Sequence, residues 1–184
     1  MKIVELHRDV HSWINSAIRG DRKAQKLIYE QYSSRVLSIC RQYIADDFTA
    51  EDLMISTFMK VFRNLEHYAQ KGVFEAWIRR IAVNECITYI RSRKKVTYTE
   101  PEEWVAIADT KTDEGLIISD LQAMLDQLPD GCRTIFNLYA IDGYKHHEIA
   151  KMMDISEGTS KSQLAYARKL LQQVLHQNNI SNHG

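Results

Sequence analysis

Lys145-His146-His147-Glu148-Ile149-Ala150-Lys151-Met152-Met153-Asp154-Ile155-Ser156-Glu157-Gly158-Thr159-Ser160-Lys161-Ser162-Gln163 is the stretch that decides the fold of this 184-residue chain. A short helix with apolar Ile149 and Met153 meets a tight turn at Asp154-Ile155. A second helix, capped by Ser156, follows at once. That is helix-turn-helix spacing. Ile149, Ala150, Met153, Ile155, Leu164 and Ala167 would form the small core between the helices, with Ala150 at the point of closest approach. The opening of the second helix then faces outward with Thr159, Lys161, Ser162, Gln163 and Tyr166. Hydroxyls, an amide, a cation and an amphipathic ring suit phosphates and base edges, and Gln can pair with adenine through two hydrogen bonds. The bland alternative is an ordinary bundle with one polar helix face.

Outward from this stretch, helical periodicity dominates. Val10, Trp13, Ile14, Ala17 and Ile18 make one apolar face, Gly20 fits a helix stop and Asp21 an N-cap. A helix over about 22–44 turns Leu27, Ile28, Tyr32, Val36, Leu37, Ile39, Cys40 and Tyr43 inward. Thr49-x-x-Asp52 resembles a capping box and opens a helix over about 50–64, with Leu53, Met54, Thr57, Phe58, Val61 and Phe62 as its stripe. Residues 66–73 read as a loop, and a long helix over about 74–93 ends in Arg91-Ser92-Arg93-Lys94-Lys95. The pattern dissolves over 96–114, where Thr, Glu and Asp dominate and Pro101 interrupts. This segment reads as a linker. Helical spacing returns at Leu116 and Pro129 starts a further helix that Asp142-Gly143 stops. With only 7 Gly and 2 Pro, the composition favours helices over a turn-rich sandwich or barrel.

Charge is distributed unevenly. The chain carries 24 Lys and Arg against 24 Asp and Glu. Residues 67–95 nevertheless sum to +5 and residues 96–130 to −8. A basic block implies a polyanionic partner. In the first domain Tyr68, Lys71, Trp77, Arg80, Asn84 and Arg91 interleave cations with aromatics and an amide. That mixture suits single-stranded nucleic acid, because rings stack on bases at ~1–3 kcal/mol each while cations hold the backbone. Helical spacing also allows Trp77 a place in the core, and mid-helix Asn84 is the member hardest to explain structurally.

Other classes find little support. Asp46, Asp47, Glu51 and Asp52 could hold magnesium for a nuclease, yet carboxylates in a first helical turn are favoured by the dipole alone. No metal site and no cofactor are therefore expected. Cys40, Cys86 and Cys132 form no C-x-x-C pair and read as small buried hydrophobes in a reducing cytosol. The sequence has no Gly-rich phosphate loop and no G-x-S-x-G elbow, so no enzyme is expected. No apolar run approaches the ~20 residues that span a bilayer, and the first residues lack a secretory h-region, so a cytoplasmic protein without membrane insertion is expected.

Several segments, in order along the chain, together resemble a known family. Ala50-Glu51-Asp52-Leu53-Met54-Ile55-Ser56-Thr57-Phe58 is similar to the A-E-D-L-V-Q-E-T-F run of extracytoplasmic-function (group 4) sigma factors of the sigma-70 family. Phe74-Glu75-Ala76-Trp77-Ile78-Arg79-Arg80-Ile81-Ala82-Val83-Asn84 is similar to their F-x-x-W-L-x-x-I-A-x-N. Leu128-Pro129-Asp130-Gly131-Cys132-Arg133, Glu148-Ile149-Ala150 and Ile155-Ser156-Glu157-Gly158-Thr159 are similar to their region 4. The resemblance covers roughly residues 10–176.

The resemblance implies an all-α chain of two small helical domains, a region 2-like bundle (1–95) and a region 4-like helix-turn-helix domain (115–184), joined by a flexible acidic linker (96–114). It implies a sigma factor that binds core RNA polymerase, at the clamp coiled coil and the flap, and directs promoter-specific initiation. Glu51, Asp52, Thr57 and Phe58 would dock the clamp. Tyr68, Lys71, Trp77, Arg80, Asn84 and Arg91 would hold the minus-10 element. Lys145, His146, Thr159, Lys161, Ser162, Gln163 and Tyr166 would read the minus-35 element of promoter DNA. The acidic linker would mimic nucleic acid in polymerase channels, and an anti-sigma factor is a further partner the family allows. The chain departs from the family at Gln163 and Tyr166, where many members have Arg, and at Ser160, His146 and His147. The alternative is a conventional helix-turn-helix regulator with an N-terminal sensing or dimerisation domain.

Overall fold

A computed structural model describes residues 2–68, 72–93 and 123–181, with side chains over 10–68, 72–93 and 123–175. The expected linker and Lys71 lie outside the described residues. The described elements are helical, as the scarcity of Gly and Pro and the 3.6-residue periodicity require. The chain divides into two compact units, Met1–Thr88 and Tyr89–Gly184.

In the first unit, α1 (Lys2–Ile18) packs on α2 (Arg22–Tyr43), which packs on α3 (Asp47–Arg63). A 3-10 turn at Leu65–His67 leads towards α4 (Phe74–Ser92). Gly20 adopts φ +86°, and the Asp21 carboxylate accepts the Lys23 N–H at 2.9 Å, so the first turn is made as its residue types dictate. The start of α3 differs from expectation. Asp46 is the N-cap, its carboxylate accepting the Thr49 N–H at 2.8 Å and the Thr49 hydroxyl at 2.6 Å. A carboxylate facing the positive helix end is a stronger cap than the Thr49 hydroxyl the sequence suggested. Ile14, Ile28, Val36, Cys40, Tyr43, Val61, Leu65 and Ile78 fill the core of this unit. Ion pairs Arg35–Glu75 and Lys60–Glu85 tie α4 to α2 and α3.

In the second unit, residues 123–126 are helical, and α5 (Asp130–Phe136) continues into a wide π turn at Asn137–Ile141. Gly143, at φ +74°, ends it. α6 (His146–Met153) and α7 (Glu157–Ser181) complete the expected helix-turn-helix. Asp154 turns the chain between them at φ +57°, a conformation Asp tolerates better than most residues. The Ser156 hydroxyl accepts the Thr159 N–H at 2.9 Å, as the cap reading requires. Met124, Leu125, Leu128, Cys132, Ala167 and Leu171 form one core, against which Phe136, Tyr166, Leu170 and Val174 are partly buried. Of the six residues expected between the two helices, Ile149, Met153, Leu164 and Ala167 are buried, whereas Ala150 and Ile155 stay half-buried. The polar surprise is Arg133, buried and paired with Asp130 at 2.6 Å and Asp126 at 3.6 Å.

Candidate nucleic-acid interface

The expected site residues lie on or beside α3, α4, α6 and α7, and the structure sorts them by burial. On α3, Glu51 and Asp52 are exposed. Thr57 and Phe58 are not available for docking. Both are buried, the Thr57 hydroxyl donating to the Leu53 carbonyl at 2.7 Å and Phe58 meeting the Tyr29 ring edge-on. They belong to the apolar stripe that seats α3. The opposite stripe was missed: Phe48 is 80% exposed, Ile55 51% and Met59 59%. With Asp52 they recur at helical spacing along one outward face. The signal was present in the sequence, because apolar side chains occur on both sides of this helix and one side has no core to enter.

On α4, Arg80, Asn84 and Arg91 are exposed, and Trp77 is half-buried. Their spacing of three, four and seven puts them on a common stripe of the helix. Tyr68 departs from its expected role as a base platform. It is buried, donates its hydroxyl to the Gly72 carbonyl at 2.8 Å, and meets Phe74 at 5.0 Å and Trp77 at 5.3 Å. Burial pushes its phenol pKa up. Phe74 and Trp77 stack at 5.7 Å, so the aromatics of this region support one another as well as presenting a surface.

On α7 the sorting is most severe. Lys161 is exposed and pairs with Glu157 at 2.9 Å. That contact holds the Glu157 carboxyl below its usual range. Thr159 and Ser162 are half-buried, and the Thr159 hydroxyl lies 2.8 Å from that of Ser156. Tyr166 is half-buried against the core. Gln163 is the clear correction: it is 1% exposed, and its amide oxygen accepts the Cys132 thiol proton at 2.9 Å. A side chain held in the core by a buried donor cannot also reach a base edge. The Cys132 thiol is pushed up to about 11 by burial and remains protonated, as that bond requires. Cys40 and Cys86 are also buried, in keeping with their reading as small hydrophobes.

The start of α6 adds Lys145, exposed, and His146, half-buried. The Lys145 N–H donates to the Glu148 carboxylate at 2.8 Å. His146 stacks on Tyr139 at 4.7 Å and places Nδ1 3.0 Å from the Ser160 hydroxyl. Burial, Lys161 and Arg168 lower its pKa against the opposing pull of Glu157. Arg168, exposed on α7 seven residues beyond Lys161, is a further cation outside the expected set. Two members of the acidic cluster have local partners: Asp46 caps α3 and Asp47 pairs with Arg41 at 3.0 Å.

Two protein-family descriptions match in order along the chain. Sigma-70 region 2 matches residues 28–96, and sigma-70 region 4 matches residues 118–171. The chain belongs to the sigma-70 family, as an RNA polymerase sigma factor of the extracytoplasmic-function group. It is 30% identical over 155 residues to the ECF RNA polymerase sigma factor SigE of Mycolicibacterium smegmatis, across 80% of this chain and 60% of that longer relative. It is 26% identical to the RNA polymerase sigma-H factor of Pseudomonas aeruginosa, across 85% of this chain and 89% of that one. Its fold is similar to that of the sigma factor RpoE from Bartonella quintana, solved with the anti-sigma factor NepR, with TM-score 0.50 and 23% identity over 82% of this chain and 96% of that one. The two-domain helical fold is the one the sequence implied. Family membership also displaces the conventional regulator. Among the described residues, no helix is long and apolar enough to cross a membrane.

Proposed function

We propose that this chain divides promoter recognition between its two units and joins them to core RNA polymerase through α3. The division of labour runs 1–95 for docking and the minus-10 element, 96–114 for an acidic linker lying in polymerase channels, and 115–184 for the minus-35 element. The outward stripe of Phe48, Asp52, Ile55 and Met59, with Glu51 beside it, meets the clamp coiled coil. Exposed apolar side chains flanked by carboxylates favour a partner that is apolar at its centre and basic at its rim. Arg80, Asn84 and Arg91, with Trp77 and Lys71, hold the unpaired minus-10 strand. Lys145, Thr159, Lys161 and Ser162 meet the minus-35 duplex, while His146, Tyr166 and Gln163 support that surface from beneath. The flap receives the second unit.

The observation that carries this reading is the order of the two matched regions, each bearing an exposed cationic helix face. The chain acts stoichiometrically, as an initiation factor in the cytoplasm, without catalysis, cofactor or metal of its own. An anti-sigma factor, such as the one bound by the Bartonella quintana protein, would silence it by covering the docking faces.

Run-off transcription tests the proposal. Purified core polymerase is supplied with genomic promoter fragments, with and without this chain. A transcript from a defined start, appearing only with the chain, is expected. Absence of a transcript together with tight binding to duplex DNA in the absence of core would overturn the proposal.

A further inference from the structure

Arg168 stands apart from the other cation on the outward face of α7. Lys161 pairs with Glu157 at 2.9 Å, both side chains remaining exposed. Among the described residues, the partner of Arg168 is a ring and not a carboxylate: its Cζ lies 5.9 Å from the centroid of Tyr139. Seven residues separate the two cations, which returns α7 to almost the same direction. Arg168 therefore shares the face of Lys161, two turns further along, a spacing comparable to a few phosphates on one strand.

The ring beneath Arg168 is itself held. Tyr139 belongs to the π turn that ends α5 and is 36% exposed. The same ring stacks on His146 at 4.7 Å and 24°. His146 is tethered to the buried Ser160 of α7 at 3.0 Å. The order Ser160–His146–Tyr139–Arg168 thus begins and ends on α7 and passes through α6 and the π turn. A guanidinium over a fixed ring keeps its fork free for an anion and loses less rotamer freedom on binding one. Burial and the neighbouring Lys161 and Arg168 lower the His146 pKa, against Glu157, which favours the uncharged ring beside Arg168.

We propose that Tyr139, stacked on His146, is a positioning residue that holds Arg168 against a promoter phosphate a few positions along the strand from the one met by Lys161. The proposal rests on the reading of α7 as the minus-35 helix and adds to it a cation and a support outside that helix. Nothing in it requires Arg168 to touch a base, so its contribution is independent of promoter sequence.

The test measures binding of holoenzyme, made from core polymerase and the full chain, to a fluorescent promoter duplex over a range of salt concentrations. Arg168→Ala is expected to weaken binding about tenfold, the scale of one charge-assisted hydrogen bond. It should also flatten the plot of log affinity against log salt by about 0.9. Tyr139→Ala should do part of both, and Tyr139→Phe should restore wild-type behaviour because it keeps the ring. In an Arg168→Ala background, Tyr139→Ala should change the slope no further. Circular dichroism melts of each variant separate a loss of fold from a loss of positioning, and Tyr139→Leu, which removes the ring but keeps apolar bulk, carries the test if Tyr139→Ala unfolds. An unchanged slope in Arg168→Ala, with Lys161→Ala still lowering it, overturns the inference and leaves the minus-35 reading standing. Independent, additive losses from Tyr139 and Arg168 would also overturn it. A wild-type holoenzyme that does not distinguish this duplex from a scrambled one overturns the reading of α7 itself.

Discussion

The exposed stripe of α4 and the opening of α7 have similar polar composition, yet they differ in which polar residues face outward. On α4, the inward positions are apolar: Ile78, Ala82, Val83, Cys86, Ile87 and Ile90. The polar residues between them, Arg80, Asn84 and Arg91, consequently face outward. On α7, the inward positions include Ser160 and Gln163 as well as Leu164, Ala167 and Leu171. Polarity there does not report direction. A helix that buries an amide on a thiol presents fewer reading residues than its composition suggests, and what remains is a cationic face of Lys161 and Arg168.

The sharpest way to break this contrast is to charge the buried position. Gln163→Arg should destabilise the second unit by about 3 kcal/mol or more, because an unpaired buried cation is left in the core. Thermal melting reads the effect. An unchanged Tm would mean that position 163 can turn outward, and the contrast would collapse.

A second variant tests the face that the reading of the first unit missed. Ile55→Asp with Met59→Asp should weaken binding to core polymerase by roughly 2 kcal/mol or more, the scale of interface hot spots. Removing the clamp contact should leave the fold intact, since both side chains are already exposed. Pull-down with labelled core checks it; wild-type affinity would move docking elsewhere on the unit.

Smaller effects sharpen the comparison. Asn84→Ala should reduce strand opening by about 1 kcal/mol, one hydrogen bond to an unpaired base, without altering affinity for core. Permanganate footprinting of open promoter reads the first and fluorescence titration the second; equal loss of both would indicate damage to the fold. Lys161→Ala should flatten the salt dependence of duplex binding by about 0.9 and leave strand opening on preformed bubbles unchanged. A parallel loss on bubbles would mean that the two faces do not act separately.

The smallest effect concerns pH. The native pKa of His146 lies below its unfolded value near 6.5. Its contribution to stability is therefore fully present above pH 6.5. It falls as pH drops through that value towards the native pKa, because the unfolded state takes up the proton first. Urea melts at pH 7.5 and 5.5 should differ more for the wild type than for His146→Gln. Equal differences would remove His146 from the titration.

Much of the fold was legible because each boundary has a local cause. Asp21, Ser156, Gly20 and Gly143 cap or stop helices by residue type alone. The stripe Leu53, Met54, Thr57, Phe58 and Val61 was also legible, and it should have kept Thr57 and Phe58 out of the docking set. Tyr68 was misread because its hydroxyl finds a backbone acceptor that only the folded loop supplies. Gln163 was misread because its partner, Cys132, lies 31 residues away and no periodicity announces a thiol–amide bond. Arg168 was missed because its support, Tyr139, sits on a π turn whose 5-residue spacing departs from the helical pattern.

The most direct test is transcription from one promoter in which the minus-10 and minus-35 elements are altered separately. The account predicts that Asn84→Ala loses discrimination at the minus-10 element alone, and that Lys161→Ala weakens use of the duplex upstream while preserving minus-10 preference. Loss of both preferences in either variant would contradict a division of recognition between two units.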